Sequence, residues 1–76
     1  MHVQENRKRL GKRIKMQRID KDMTQSELAE KINMKQSQLS QVERGLLGLR
    51  VDHLLAIAQV LECQPSYLLG EEKEVA

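Results

Sequence analysis

Residues 23–45 read MTQSELAEKINMKQSQLSQVERG, and this stretch decides the fold. Thr24 followed three residues later by Glu27 is the capping-box pattern. The threonine hydroxyl accepts from the N–H of Glu27, and the glutamate reaches back to the N–H of Thr24. The pattern predicts a helix over 25–31 with Leu28, Ala29 and Ile32 facing inward. Asn33 comes next, one of the few residues besides glycine that tolerate the left-handed conformation ending a helix. A second helix is predicted over 36–43, with Leu39 and Val42 on one face and Gly45 as its stop. The stretch is therefore two short helices joined by a tight turn.

Working outward, the chain reads as all-α, a compact five-helix bundle. Leu10 and Ile14 fall four apart in a charged segment and predict a first helix over about 5–20. Val51, Leu54, Leu55, Ile57, Ala58 and Leu61 form an apolar stripe and predict a fourth helix over 51–61. Pro65 suits the first position of a fifth helix over 65–69, which Gly70 ends. Residues 1–70 are expected to form one domain and residues 71–76 an acidic, disordered tail. No segment alternates apolar and polar residues as a half-buried strand would.

The net charge of +2 hides an asymmetry. Residues 1–21 carry eight Lys or Arg against two acids, while residues 22–76 carry five against nine. The basic front is consistent with a face turned to a polyanion and equally with a solvated, lysine-rich helix. Tyr67 is the only aromatic residue, which argues against base stacking on aromatic platforms. A single cysteine, Cys63, excludes an intrachain disulfide and suits a reducing cytoplasm. No apolar run approaches the roughly 20 residues that span a bilayer, and the polar start predicts no secretory leader. His2 and His53 lack partners at ligand spacing, so no metal and no cofactor is expected. No nucleophile–base pattern or phosphate loop is present, and the expectation is a non-enzyme. Met16, Met23 and Met34 read as core or gap-filling residues, and His53 as exposed.

The surface of the second short helix carries the functional signal. Gln36, Ser37, Gln38, Ser40 and Gln41 are uncharged hydrogen-bonding residues where a merely solvated helix would carry Glu and Lys. A glutamine amide offers a donor and an acceptor together, which matches the N6 and N7 edge of adenine in the major groove. Lys35 and Arg44 flank the helix, placed for phosphates.

The segments MTQSELA at 23–29, QSQLSQVERG at 36–45 and LLAIAQVL at 54–61 stand in phase, and from Leu10 to Leu69 the chain resembles the Cro/CI-type, or Xre-type, helix-turn-helix proteins. That resemblance implies the lambda-repressor-like bundle and a transcriptional regulator, most often a repressor. Such a protein binds double-stranded DNA as a homodimer on a palindromic operator, with the third helix in the major groove. It implies Gln36, Ser37 and Gln41 as base readers, and Gln38 and Ser40 as secondary base or phosphate contacts. Thr24, Gln25, Lys35, Arg44 and Arg50 are its DNA-backbone contacts, and Gln25 is expected to brace Gln36. Arg18 and Glu43 are implied as an internal ion pair. Cys63, Tyr67, Leu68 and Leu69 are implied at a dimer interface. The implied setting is a bacterial or phage-encoded protein of the cytoplasm, associated with the nucleoid.

The sequence departs from the family pattern at several points. Asp22 and Glu62 stand where glycine is common, so those helix ends are expected to differ. Lys35 replaces the usual Ser or Thr cap, at a loss of roughly 1 kcal/mol. Leu46, Leu47 and Leu49 fill a loop that is usually polar, either tucking into the core or forming a patch for a protein partner. Within the same fold, an antitoxin or a restriction-modification controller fits these residues as well. From another class, a protein-interaction module would be expected to lose the glutamine cluster, which this chain retains.

Overall fold

The computed structural model describes residues 3–70, with side chains from Asn6 onward, so His2 and the expected acidic tail at 71–76 lie outside the described residues. Five helices follow one another: α1 (Val3–Asp20), α2 (Gln25–Lys31), α3 (Gln36–Glu43), α4 (Val51–Leu61) and α5 (Pro65–Leu69). There is no strand among the described residues, so the all-α reading holds. α1 begins at Val3 and not near residue 5, because neither Val3 nor Gln4 breaks a helix.

One core joins the five helices. Leu10 and Ile14 enter it from α1, Leu28, Ala29 and Ile32 from α2 and its C-cap, and Leu39 and Val42 from α3. Leu54, Ile57, Ala58 and Leu61 come from α4, and Leu68 from α5. Each fully buried aliphatic side chain contributes about 1.5–3 kcal/mol. α1 lies across α3 and α5, while α2 packs on α3. The crossing of α1 over α3 depends on Gly11. A Cβ at that position would collide with the backbone carbonyls of Val42 and Glu43. This close approach brings the end of α3 within reach of Arg18, two turns further along α1.

Among the described residues, three besides glycine take left-handed backbone: Asp22, Asn33 and Glu62, with φ of 54°, 58° and 56°. Asn33 was expected to do so. Asp22 and Glu62 correct the expectation that their helix ends would differ, since both keep the glycine-like turn. The conformation costs roughly 1–2 kcal/mol per residue. An ion pair ties the two corners together, because Lys21, adjacent to Asp22, donates from Nζ to Glu62 Oε1. That hydrogen bond holds the Glu62 carboxyl below its usual range.

Met23 and Met34 pack at the edge of the core. Met16 does not, because it lies on the solvent side of α1 and is 53% exposed. His53 is half-buried, although it was expected to be exposed. α5 is pinned to α1 by Arg13, whose guanidinium stands 4.6 Å from the centre of the Tyr67 ring. Arg13 Nη1 also donates to the Tyr67 carbonyl at 3.0 Å.

Candidate nucleic-acid interface

The interface is built on an anchored helix. Glu43, in the last turn of α3, is buried, and so is Arg18 of α1. Arg18 donates from Nε to Glu43 Oε2 at 2.7 Å and from Nη2 to Oε1 at 2.9 Å, a bidentate pair. Its Nη1 donates to the Met23 carbonyl at 2.8 Å, which fixes the link between α1 and α2. The hydrogen bonds to Glu43 hold the Arg18 guanidinium above its already high pKa, so it stays charged. No buried side-chain nitrogen or oxygen among the described residues lacks a partner, so this desolvated pair is fully satisfied.

α2 enters through the expected capping box. Glu27 N donates to Thr24 Oγ1 at 3.0 Å, and Thr24 N donates to Glu27 Oε1 at 2.8 Å. The backbone N–H of Thr24, bonding to the carboxylate, pulls the Glu27 pKa below its ordinary value. The first turn of α2 is thereby fixed over the start of α3. The turn between the two helices closes with Met34 N donating to the Ala29 carbonyl at 2.8 Å. Ala29 itself is buried, so nothing larger than a methyl keeps α2 from α3.

The expected base readers Gln36, Ser37 and Gln41 are exposed, as is Gln38, while Ser40 is half-buried. Leu39 and Val42 are fully buried behind them. Thr24, Lys35, Arg44 and Arg50 are exposed and Gln25 is half-buried. Arg50 is paired with Asp52 at 3.3 Å, on the surface. An open depression of about 500 Å³ lies where the end of α1, the start of α2 and Gln36 meet. It is far too open to enclose a small substrate.

The structure corrects several expectations. Gln25 does not brace Gln36. Its Nε2 donates to Glu43 Oε1 at 2.9 Å, drawn inward by the buried carboxylate. Ser26, the next residue, bonds Gln36 instead, Oγ to Oε1 at 2.9 Å. Lys35, as expected of a residue replacing Ser or Thr, gives no side-chain cap, since an ammonium cannot accept a hydrogen bond. Half of the reciprocal pattern survives, with Lys35 N donating to Gln38 Oε1 at 3.3 Å. Leu68 is fully buried inside the chain and presents nothing to a second copy. Cys63 and Tyr67 are half-buried and Leu69 is exposed. Of the loop leucines, Leu47 and Leu49 pack against the core, and only Leu46 stays mostly exposed. Val51 and Leu55, one turn apart on α4, are the other exposed aliphatics near it in sequence.

Two residues of consequence escaped the sequence reading. Gly11 could have been noticed as the one glycine inside a helical, charged segment, where glycine costs about 1 kcal/mol unless packing requires it. Ser26 had no such signal, because a serine in a first helical turn is ordinary. Among the described residues no group of three His, Cys, Asp or Glu could hold a metal, and no helix is long and apolar enough to cross a membrane.

A helix-turn-helix family profile matches residues 14–68. The immunity repressor protein of Bacillus phage phi105 is 40% identical over 63 residues, covering 83% of this chain and 44% of that protein. The HTH-type transcriptional regulator ImmR of Bacillus subtilis strain 168 is 38% identical over 64 residues, covering 84% of this chain and 50% of that protein. The chain thus spans about half the length of the curated relatives it matches. Among solved structures, the P22 c2 repressor, crystallised with the synthetic operator 9T, superposes with a TM-score of 0.78 and 30% identity. That match covers 83% of this chain and 96% of the repressor chain.

Proposed function

This chain belongs to the Xre- and Cro/CI-type helix-turn-helix family, and we propose that it is a sequence-specific, double-stranded-DNA-binding regulator of transcription, acting as a repressor. One observation carries the reading. α3 is held rigidly by its buried face and its Glu43 end, while its start presents Gln36, Ser37 and Gln41 to solvent. A helix so arranged can enter the major groove and read base edges with neutral amides and a hydroxyl. The likeness to a repressor solved on its operator supports the same reading.

In this proposal Gln36, Ser37 and Gln41 read bases, with Gln38 and Ser40 beside them. Thr24, Gln25, Lys35, Arg44 and Arg50 hold the phosphate backbone. Thr24 keeps a role there because its oxygen accepts from Glu27 N while its hydroxyl proton stays available to a phosphate. Gln25 contributes its backbone N–H and the second hydrogen of its side-chain amide, the first being donated to Glu43 Oε1. Two copies pair through Cys63, Tyr67 and Leu69 and set their α3 helices about one turn of DNA apart on a palindromic operator. Occupying such a site represses by excluding polymerase.

The test is selection of random-sequence duplex DNA by the purified chain, followed by binding across a salt series. The expected result is one enriched, two-fold-symmetric sequence. Its log affinity should fall with log salt at about −0.9 per phosphate neutralised. A flat salt response, or no enrichment, would overturn the reading.

A further inference from the structure

We propose that Ser26 is a specificity-determining positioning residue, which fixes the orientation of the Gln36 amide and so sharpens the base preference at the position Gln36 reads. The inference rests on the DNA-binding reading above and goes one residue beyond it. A glutamine at the exposed start of a helix is a loose reader. Its terminal amide turns freely, and a half-turn exchanges the oxygen for the nitrogen and inverts the donor–acceptor pattern shown to a base. Specificity therefore depends on something that fixes the amide.

Two hydrogen bonds decide which residue does so. Gln25, which stands where a bracing glutamine was expected, donates its Nε2 to Glu43 Oε1 at 2.9 Å and faces the buried ion pair. The Ser26 hydroxyl lies 2.9 Å from Gln36 Oε1 and donates to it. A carbonyl oxygen has two lone pairs, and Ser26 uses one. The second lone pair and both N–H groups of Gln36 stay available, in a fixed sense. Turning the amide over would lose the Ser26 bond unless the hydroxyl turned as well. The brace also belongs to the scaffold: Ser26 sits in the turn that Thr24 and Glu27 lock, so the hydroxyl is delivered from a rigid position.

The test uses the whole chain and random-sequence duplex DNA. The operator is first selected with the unmodified protein, and Gln36→Ala identifies the base position that Gln36 reads. Ser26→Ala is then selected on the same pool. The expected result is a loss of about threefold to tenfold in preference at that position alone, as befits one neutral hydrogen bond. The salt slope and thermal midpoint should be unchanged, because Ser26 is exposed. Ser26→Thr, which keeps the hydroxyl, should retain the preference. Gln25→Ala should weaken binding to every sequence, through its phosphate contact and its bond to Glu43, without relaxing the preference at that one position. Unchanged selectivity in Ser26→Ala would overturn the proposal while leaving the DNA-binding reading in place. So would relaxation at that position by Gln25→Ala and not by Ser26→Ala. Failure of the unmodified chain to enrich any sequence would overturn both.

Discussion

The two ends of α3 are about two turns apart and obey different physics. At its C-terminal end Glu43 is buried, accepts three hydrogen bonds and carries a full charge paired with Arg18. At its N-terminal end Gln36 is neutral, exposed and held by a single hydroxyl. The first end fixes where the helix lies. The second is left free to meet something else. α2 touches both, since Gln25 reaches the buried end and Ser26 the exposed one. The contrast shows how a small domain can combine a rigid frame with an adaptable surface on a helix of only eight residues.

The largest effect should come from breaking the buried end. Arg18→Ala would strand the Glu43 carboxylate in the core, and such a change costs roughly 3–5 kcal/mol. A chain of 76 residues has a total stability on the order of 4–11 kcal/mol. Arg18→Ala is therefore expected to unfold the domain wholly or in large part at 37 °C, as read by circular dichroism on heating. If its melting midpoint stayed within a few degrees of the parent, the ion pair would not be what anchors α3.

Gln36→Ala tests the other end and should behave in the opposite way. Stability is expected to change by no more than about 0.5 kcal/mol, as for an exposed surface site. Affinity for the selected operator should fall by about 1–3 kcal/mol, with little change on random DNA. Equal losses on both DNAs would mean that Gln36 positions the helix and does not read sequence, and the contrast between the two ends would narrow.

Much of this frame was legible in the sequence, and the reasons are physical. Periodic apolar residues, the Thr24–Glu27 cap and the stop at Gly45 are local signals, and local signals fix local structure. The left-handed turn at Asn33 was legible because asparagine is suited to it, whereas Asp22 and Glu62 were misjudged. Their corners are closed by backbone hydrogen bonds, Met23 N to the Arg18 carbonyl and Cys63 N to the Ala58 carbonyl, and are tied to each other by Lys21 bonding across 41 positions of sequence, which no local pattern reveals. The candidate site divides in the same way. Exposure of Gln36, Ser37 and Gln41 follows from helical period alone. The choice between Gln25 and Ser26 as the partner of Gln36 depends on where the Glu43 carboxylate points, a three-dimensional competition. Leu68 was misplaced because its neighbours in a five-residue helix give too short a period to tell its inner face from its outer one.

The smallest effect concerns the capping box, which holds in place the turn that touches both ends. The Glu27 carboxyl is depressed below its ordinary 4.5, first by the backbone N–H of Thr24 and then by the Thr24 side chain. A group whose pKa is lower folded than unfolded stabilises the fold above its unfolded value, and that contribution fades as pH falls through the folded value. The loss should therefore begin near pH 4.5 and proceed below it. Glu62 works in the same sense through Lys21, so the parent protein should lose thermal stability on both accounts as it is acidified. Glu27→Gln separates them. The amide can still accept from Thr24 N, which keeps the box, but it cannot be protonated in this range. The variant is expected to melt slightly below the parent at pH 7 and to show a shallower fall in midpoint between pH 5 and pH 3. A fall as steep as the parent's would show that the Glu27 carboxylate is not selectively stabilised in the folded chain. The entrance of α2 would then rest on the Thr24 hydroxyl cap and on apolar contacts, and the reciprocal half of the box would add nothing to the turn from which Gln25 and Ser26 reach the two ends of α3.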